Sequence, residues 1–146
     1  MSAEELCRRL DAAGVVPTGP GIARYEDAPV ALDHPDTPHH PDVPQGPDAS
    51  AGAIVVRAGL PVAAGVRAED LGGGVRIVEL PAVERAATVV HRGAMEGVLP
   101  TSQVLAWWID AHGHRSAGYA RELTLACPED RDRWVTELQE PLADTP

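Results

Sequence analysis

The segment Ile109-Asp110-Ala111-His112-Gly113 has the same pattern as Leu10-Asp11-Ala12-Ala13-Gly14, which stands 99 residues earlier. In each segment an apolar-periodic stretch leads to a Gly, the residue that most readily ends a helix. A second Gly follows five residues later in both, ahead of a stretch with β-like composition. The correspondence predicts a duplication within a single domain over residues 1–146, with repeat one over 1–62 and repeat two over 74–142.

Apolar spacing, caps and turn residues place two helices and six strands along the chain. Residues 2–14 and 100–112 have helical periodicity, and Thr101 or Ser102 is the expected N-cap of the second helix. The predicted strands cover residues 21–25, 53–62, 75–80, 86–91, 119–126 and 134–138.

This order of elements predicts an α+β fold in which each repeat is a strand–helix–strand–strand unit. Two such units give two antiparallel sheets that form a groove together with the two helices. Repeat one starts directly at its helix, so either it lacks its opening strand or the true start of the chain lies further upstream. A missing strand leaves one edge of the sheet exposed. Such an edge can pair with a second copy of the chain, so a homodimer is the alternative to a monomer.

Spacings of three and four predict that Val104, Trp107, Trp108 and Ala111 form the buried side of the second helix. Adjacent tryptophans on a helix point in different directions, so we expect one to enter the core and the other the groove. Cys7 and Cys127 have no metal-type spacing and are expected to be buried free thiols.

Residues 28–50 contain six prolines and three histidines, and they predict an irregular loop because proline removes backbone donors. Nothing in this stretch fixes His34, His39 and His40 at the distances a metal requires. The sequence therefore predicts no metal site, and no motif calls for a cofactor.

The net charge is −10, because the chain has 22 acidic residues and only 12 basic ones, all of them Arg. An acidic surface repels phosphate backbones, so direct nucleic-acid binding is not expected. No apolar run is long enough to cross a bilayer. Met1 is followed by acidic residues rather than by a charged and apolar leader, so we expect a cytoplasmic protein.

Four segments together resemble the GyrI-like domain family. They are Gly19-Pro20-Gly21-Ile22-Ala23-Arg24-Tyr25, Ala87-Thr88-Val89-Val90-His91-Arg92-Gly93, Trp108-Ile109-Asp110-Ala111-His112-Gly113, and the closing Asp132-Arg133-Trp134-Val135-Thr136-Glu137-Leu138-Gln139-Glu140-Pro141-Leu142. The resemblance spans nearly the whole chain except residues 28–50. It implies a fold similar to the effector-binding domains of AraC-type and MerR-type regulators and to stand-alone members of that family.

The resemblance also implies a pocket between the repeats that takes bulky aromatic or cationic molecules, with Glu122 at the position of the family's pocket glutamate. Strand alternation places Glu122 and Thr124 on one face. The candidate ligand-binding residues are Glu122, Trp107, Trp108, Tyr25, Tyr119, Met95 and Thr124. The chain departs from the family at Thr124 and at Ala94-Met95, where the family often has tyrosine and Pro-Tyr.

Three functions stay open at this point. The leading one is a stand-alone protein that binds a hydrophobic drug or natural product, aromatic or cationic, for sequestration, sensing or self-resistance. The first alternative is a hydrolase of reactive cyclopropane-containing natural products, with Glu122 as the catalytic residue that activates water. The second is an acidic protein-interaction module such as a gyrase inhibitor. The expected partner is a small molecule, with no nucleic acid and no membrane.

Overall fold

The computed structural model describes residues 1–27 and 54–144, and the predicted loop at 28–50 lies outside them. The described residues form two helices and five strands. In chain order these are α1 (Ala3–Ala12), β1 (Gly21–Asp27), β2 (Ile54–Gly59), β3 (Ala86–Arg92), α2 (Val98–Ala111), β4 (Arg121–Ala126) and β5 (Val135–Pro141).

The strands form one open antiparallel sheet in the order β2-β1-β4-β5-β3. This confirms the α+β class. The two expected sheets are joined, because β1 of the first half pairs directly with β4 of the second. Within the described part of the chain no strand precedes α1, so β2 lies at one edge of the sheet and β3 at the other. The proposed duplication stays a prediction.

Helix α1 begins where the sequence predicts. The Ser2 side chain accepts a hydrogen bond from the Glu5 backbone N–H at 3.2 Å, which satisfies a free donor of the first turn. Glu5 also accepts a hydrogen bond from Arg9 Nε at 2.8 Å. Leu10 is almost fully buried, and Gly14 ends the segment with a φ of 67°, a conformation that favours glycine.

Helix α2 packs over β3 and β5 through Leu105 and Ile109, which form a buried cluster with Ala87 and Leu138. The prediction of which side of this helix is buried was wrong. Val104, Trp107, Trp108 and Ala111 are all exposed. Apolar residues lie all around this helix, so their spacing fits more than one face. Leu105 and Ile109, one turn apart, fill the space above the sheet instead.

The expected N-cap of α2 also differs. The helix begins at Val98 after Gly97, and no side chain caps it. Thr101 instead hydrogen-bonds the buried ring of His91 on β3, with 2.9 Å between Oγ1 and Nδ1. The hydroxyl that the sequence assigns to a cap therefore joins α2 to the sheet.

The predicted strand at residues 75–80 is absent, and the structure has irregular backbone there. β-like composition alone does not make a strand, because a strand also needs pairing along its backbone; residues 75–80 pair with no strand of the described sheet, although β3 is an edge strand. Ile77 and Val78 are exposed as a result.

Both cysteines are exposed rather than buried. Cys7 lies in the first half of α1 and its side chain reaches the solvent, although it is only three residues from the buried Leu10. Cys127 follows the end of β4, where the chain leaves the sheet.

Register and alternation define the two faces of the sheet. Glu122 is opposite Ala23 on β1 and Leu138 on β5, and Leu138 packs under α2. Opposite residues of antiparallel strands share a face. The face that carries Glu122 and Leu138 is called here the helix face, and the other is called the outer face.

Candidate functional site

Tyr25 and Glu122 meet on the helix face, where β1 and β4 pair at the centre of the sheet. Ala23 is opposite Glu122, and Tyr25 is two residues further along β1, so its ring points to the same side. The Tyr25 hydroxyl donates a hydrogen bond to Oε1 of Glu122 at 2.5 Å. The structure thus brings together two of the predicted site residues from opposite halves of the chain.

The surroundings of this pair hold Tyr25 in its neutral form. Partial burial, the hydrogen bond to Glu122 and the negative charge of that carboxylate raise the pKa of Tyr25 to about 12. At neutral pH the phenol is therefore a hydrogen-bond donor. The bond to Tyr25 uses only one of the two oxygens of the half-buried Glu122 carboxylate.

On the side toward β2, the floor beside Glu122 is made of small side chains. Its neighbours in the same row of the helix face are Ala23 on β1 and, beyond it, Ala58 on β2, whereas the larger Leu138 lies on the other side. In the next row Tyr25 is opposite Val56, which is 55% exposed, and Ile54 at the end of β2 is 63% exposed. The carboxylate therefore lies at the border between the core under α2 and an apolar surface that reaches the solvent.

Thr124 shares the face of Glu122, as predicted. It is opposite Gly21 on β1 and Thr136 on β5, and its side chain is exposed. The strand becomes irregular immediately afterwards, between Thr124 and Ala126. Thr124 therefore extends the polar strip that begins at Glu122.

The two tryptophans of α2 are not brought to this pair. Trp107 is 65% exposed and Trp108 45% exposed, on a helix that lies mainly over β3, with β5 and β4 between β3 and β1. Trp108 stacks on His112 with the ring centres 4.3 Å apart, and His114 stacks at 5.6 Å. These rings form a separate aromatic surface.

Met95 and Tyr119 also lie apart from Glu122. Met95 starts a short 3-10 helix ahead of α2 and is half-buried. Tyr119 precedes β4, and the interaction of its hydroxyl with the Asp27 side chain is the main reason that the pKa of Tyr119 is raised. Tyr119 lines a cavity of about 470 Å³ that also takes in Arg24 and Arg121.

The described residues contain no group of three metal-ligating side chains. None of the described helices has the length and apolar character that a membrane crossing requires. The sequence reasoning missed the arginines at the cavity. Alternation along each strand could have indicated their side of the sheet, because Arg24 follows Ala23 and Arg121 precedes Glu122. Only the strand register shows that the two arginines are neighbours.

No protein-family model and no curated protein matches the sequence. Membership of the GyrI-like family therefore stays a prediction that rests on the four segments quoted above.

Proposed function

We propose that the protein binds small hydrophobic molecules, aromatic and cationic ones in particular, on the helix face at Glu122 and Tyr25, and that it thereby sequesters or senses them. The observation that carries this proposal is the 2.5 Å contact between the two side chains at the border of an exposed apolar surface. An anchored carboxylate among apolar groups is the arrangement that selects a cation with a hydrophobic body.

The chemistry of the pair supports a cationic ligand. Glu122 supplies the negative charge, and the Tyr25 hydrogen bond fixes the carboxylate before the ligand arrives, which lowers the ordering cost of binding. The ring of Tyr25 offers a face for a cation–π contact. The alanines at positions 23 and 58 leave room above the sheet for a bulky body.

The same contact favours binding over the hydrolase alternative. A tyrosine beside Glu122 could serve as a proton donor, but proton transfer is most effective when the pKa of the donor lies near the working pH. A pKa of about 12 is far above neutrality. The hydroxyl of Tyr25 also already occupies one oxygen of the carboxylate that would activate water.

Calorimetric titration with tetraphenylphosphonium and tetraphenylborate tests the proposal, because these ions have the same shape and opposite charge. The cation is expected to bind more tightly. Glu122→Gln is expected to weaken it about tenfold or more, since a charged contact contributes about 1.5–3 kcal/mol. Glu129→Gln, at an exposed acid in the β4–β5 turn, is the matched control. Equal binding of both ions, or unchanged affinity in Glu122→Gln, overturns the proposal.

A further inference from the structure

Three arginines form a row across neighbouring strands on the outer face. Arg57 on β2 is opposite Arg24 on β1, and Arg24 is opposite Arg121 on β4. Directly opposite residues of antiparallel strands have Cβ atoms about 5 Å apart and project to the same side. Three guanidinium groups therefore start from adjacent positions on one surface.

Such a row is costly unless something neutralises it, because like charges directly opposite each other destabilise a sheet. The chain has only 12 basic residues and a net charge of −10, so a general excess of cations does not explain the row. Its position therefore needs a local explanation.

Contacts within the described residues neutralise only one end of the row. Arg57 forms an ion pair with Glu26, and this bond is the main cause of the lowered pKa of Glu26, with the charges of Arg57, Arg24 and Arg76 adding to it. Arg121 donates from Nη2 to the backbone carbonyl of Pro81 at 2.6 Å, which is not a charged partner. Among the described residues no ion pair involves Arg24 or Arg121.

The cavity of about 470 Å³ opens beside these two arginines, and its volume is typical of a site for a small molecule. Arg85 is a third arginine in the lining of the cavity. The lining also includes two acidic residues, Glu84 and Asp144. Apolar and aromatic walls come from Pro81, Val83 and Tyr119. The cavity thus combines an excess of positive charge with an apolar wall.

We propose that this cavity is a second binding site, for a small organic molecule that carries an oxyanion, either a carboxylate or a phosphate. Arg24 and Arg121 hold the oxyanion, because the planar guanidinium matches both groups with paired N–H donors. The body of the ligand packs against Tyr119 and Pro81. The site lies on the face opposite Glu122 and takes a ligand of opposite charge, so it does not depend on the function proposed above.

Calorimetry in a phosphate-free buffer of low ionic strength tests this site with benzoate, phenyl phosphate and inorganic phosphate, up to about 10 mM so that millimolar affinities are covered. Benzamide, which is neutral and has the shape of benzoate, is the control ligand. At least one of the two aromatic anions is expected to bind saturably, and benzamide is not. Tighter binding of benzoate identifies a carboxylate ligand, and tighter binding of phenyl phosphate identifies a phosphate ligand.

Arg24→Gln and Arg121→Gln are each expected to weaken the bound anion about tenfold or more, and Arg133→Gln, an exposed arginine outside the cavity, is expected to have no effect. Arg24→Gln relieves like-charge repulsion, so its melting temperature is expected to equal or exceed that of the wild type, which shows that the variant is folded. Glu122→Gln is expected to leave anion binding unchanged. No saturable binding of either aromatic anion, or equal affinity in Arg24→Gln and the wild type, overturns the proposal.

Discussion

The phenol of Tyr25 and the carboxylate of Glu122 connect the two halves of the chain: the residues are 97 positions apart in sequence, and their oxygens are 2.5 Å apart in the fold. The bond crosses the pairing of β1 with β4, the only direct contact between strands of the two halves in the described sheet. The residues that are proposed to bind the cationic ligand therefore also form a side-chain hydrogen bond across the centre of the sheet. Several measurable properties depend on this relationship.

The ionisation of Tyr25 reports the contact directly. The chain has two tyrosines, and we expect tyrosinate absorbance to show Tyr25 ionising near pH 12 in the folded protein, well above the ordinary value of 10. Glu122→Gln removes the negative charge and is expected to move that pKa toward 10. Glu129→Gln, in the exposed turn, is the control. Complete ionisation of both tyrosines around pH 10 in the folded wild type contradicts the contact.

The same pKa sets a pH window for stability. The pKa of Tyr25 is higher in the folded state than in the unfolded one, so its favourable contribution is complete below pH 10 and disappears as the pH rises toward about 12. The wild type is therefore expected to lose its stability advantage over Tyr25→Phe across that interval, as measured by urea unfolding at a series of pH values. A constant difference between the two proteins from pH 8 to 12 contradicts this prediction.

Local pattern was enough to locate most of the elements. Helix α2 was predicted at residues 100–112 and runs from Val98 to Ala111, because helical periodicity and the stop at Gly113 are properties of the local sequence. Glu122 and Thr124 were correctly placed on one face, since alternation along a strand needs no knowledge of its neighbours.

Features that depend on pairing between distant segments could not be predicted in this way. The row of Arg57, Arg24 and Arg121 exists only in the register of three strands, and no spacing within one strand reveals it. The buried side of α2 was wrongly predicted for a similar reason. Several faces of that helix are apolar, and the sheet beneath it decides that Leu105 is buried and Trp107 is not.

The exposure of Cys7 and Cys127 predicts that both thiols react in the native protein. A thiol reagent is expected to modify two groups per chain without denaturant, at rates close to those measured in urea. Cys7→Ser and Cys127→Ser are each expected to remove one reactive group and leave the other unchanged. Protection of either thiol that is lost only on unfolding contradicts the exposed placement.

The hydrogen bond between His91 and Thr101 predicts a specific loss of stability. The Ala94 carbonyl, 3.0 Å from Nε2 of His91, can only accept, so Nε2 donates to it, and Nδ1 is the ring atom that bonds the Thr101 hydroxyl. Thr101→Val leaves Nδ1 of this buried ring without a partner and is expected to cost about 1–3 kcal/mol in urea unfolding. Thr101→Ser, which keeps the hydroxyl, is the matched control. Equal losses in the two variants mean that the hydrogen bond does not contribute.

On α2, truncation of the smaller side chain of Leu105 is expected to cost more stability than truncation of the larger side chain of Trp107. Leu105 is buried against Ala87 and Leu138, so Leu105→Ala leaves a cavity and is expected to lower the free energy of unfolding by about 2–5 kcal/mol. Trp107 is 65% exposed, and Trp107→Ala is expected to change it by less than about 0.5 kcal/mol even though more atoms are removed. Urea unfolding followed by circular dichroism measures both variants without relying on tryptophan emission. A loss in Trp107→Ala that matches the loss in Leu105→Ala means that the indole packs in the core, as its spacing alone suggests, and that the orientation of α2 on the sheet is different.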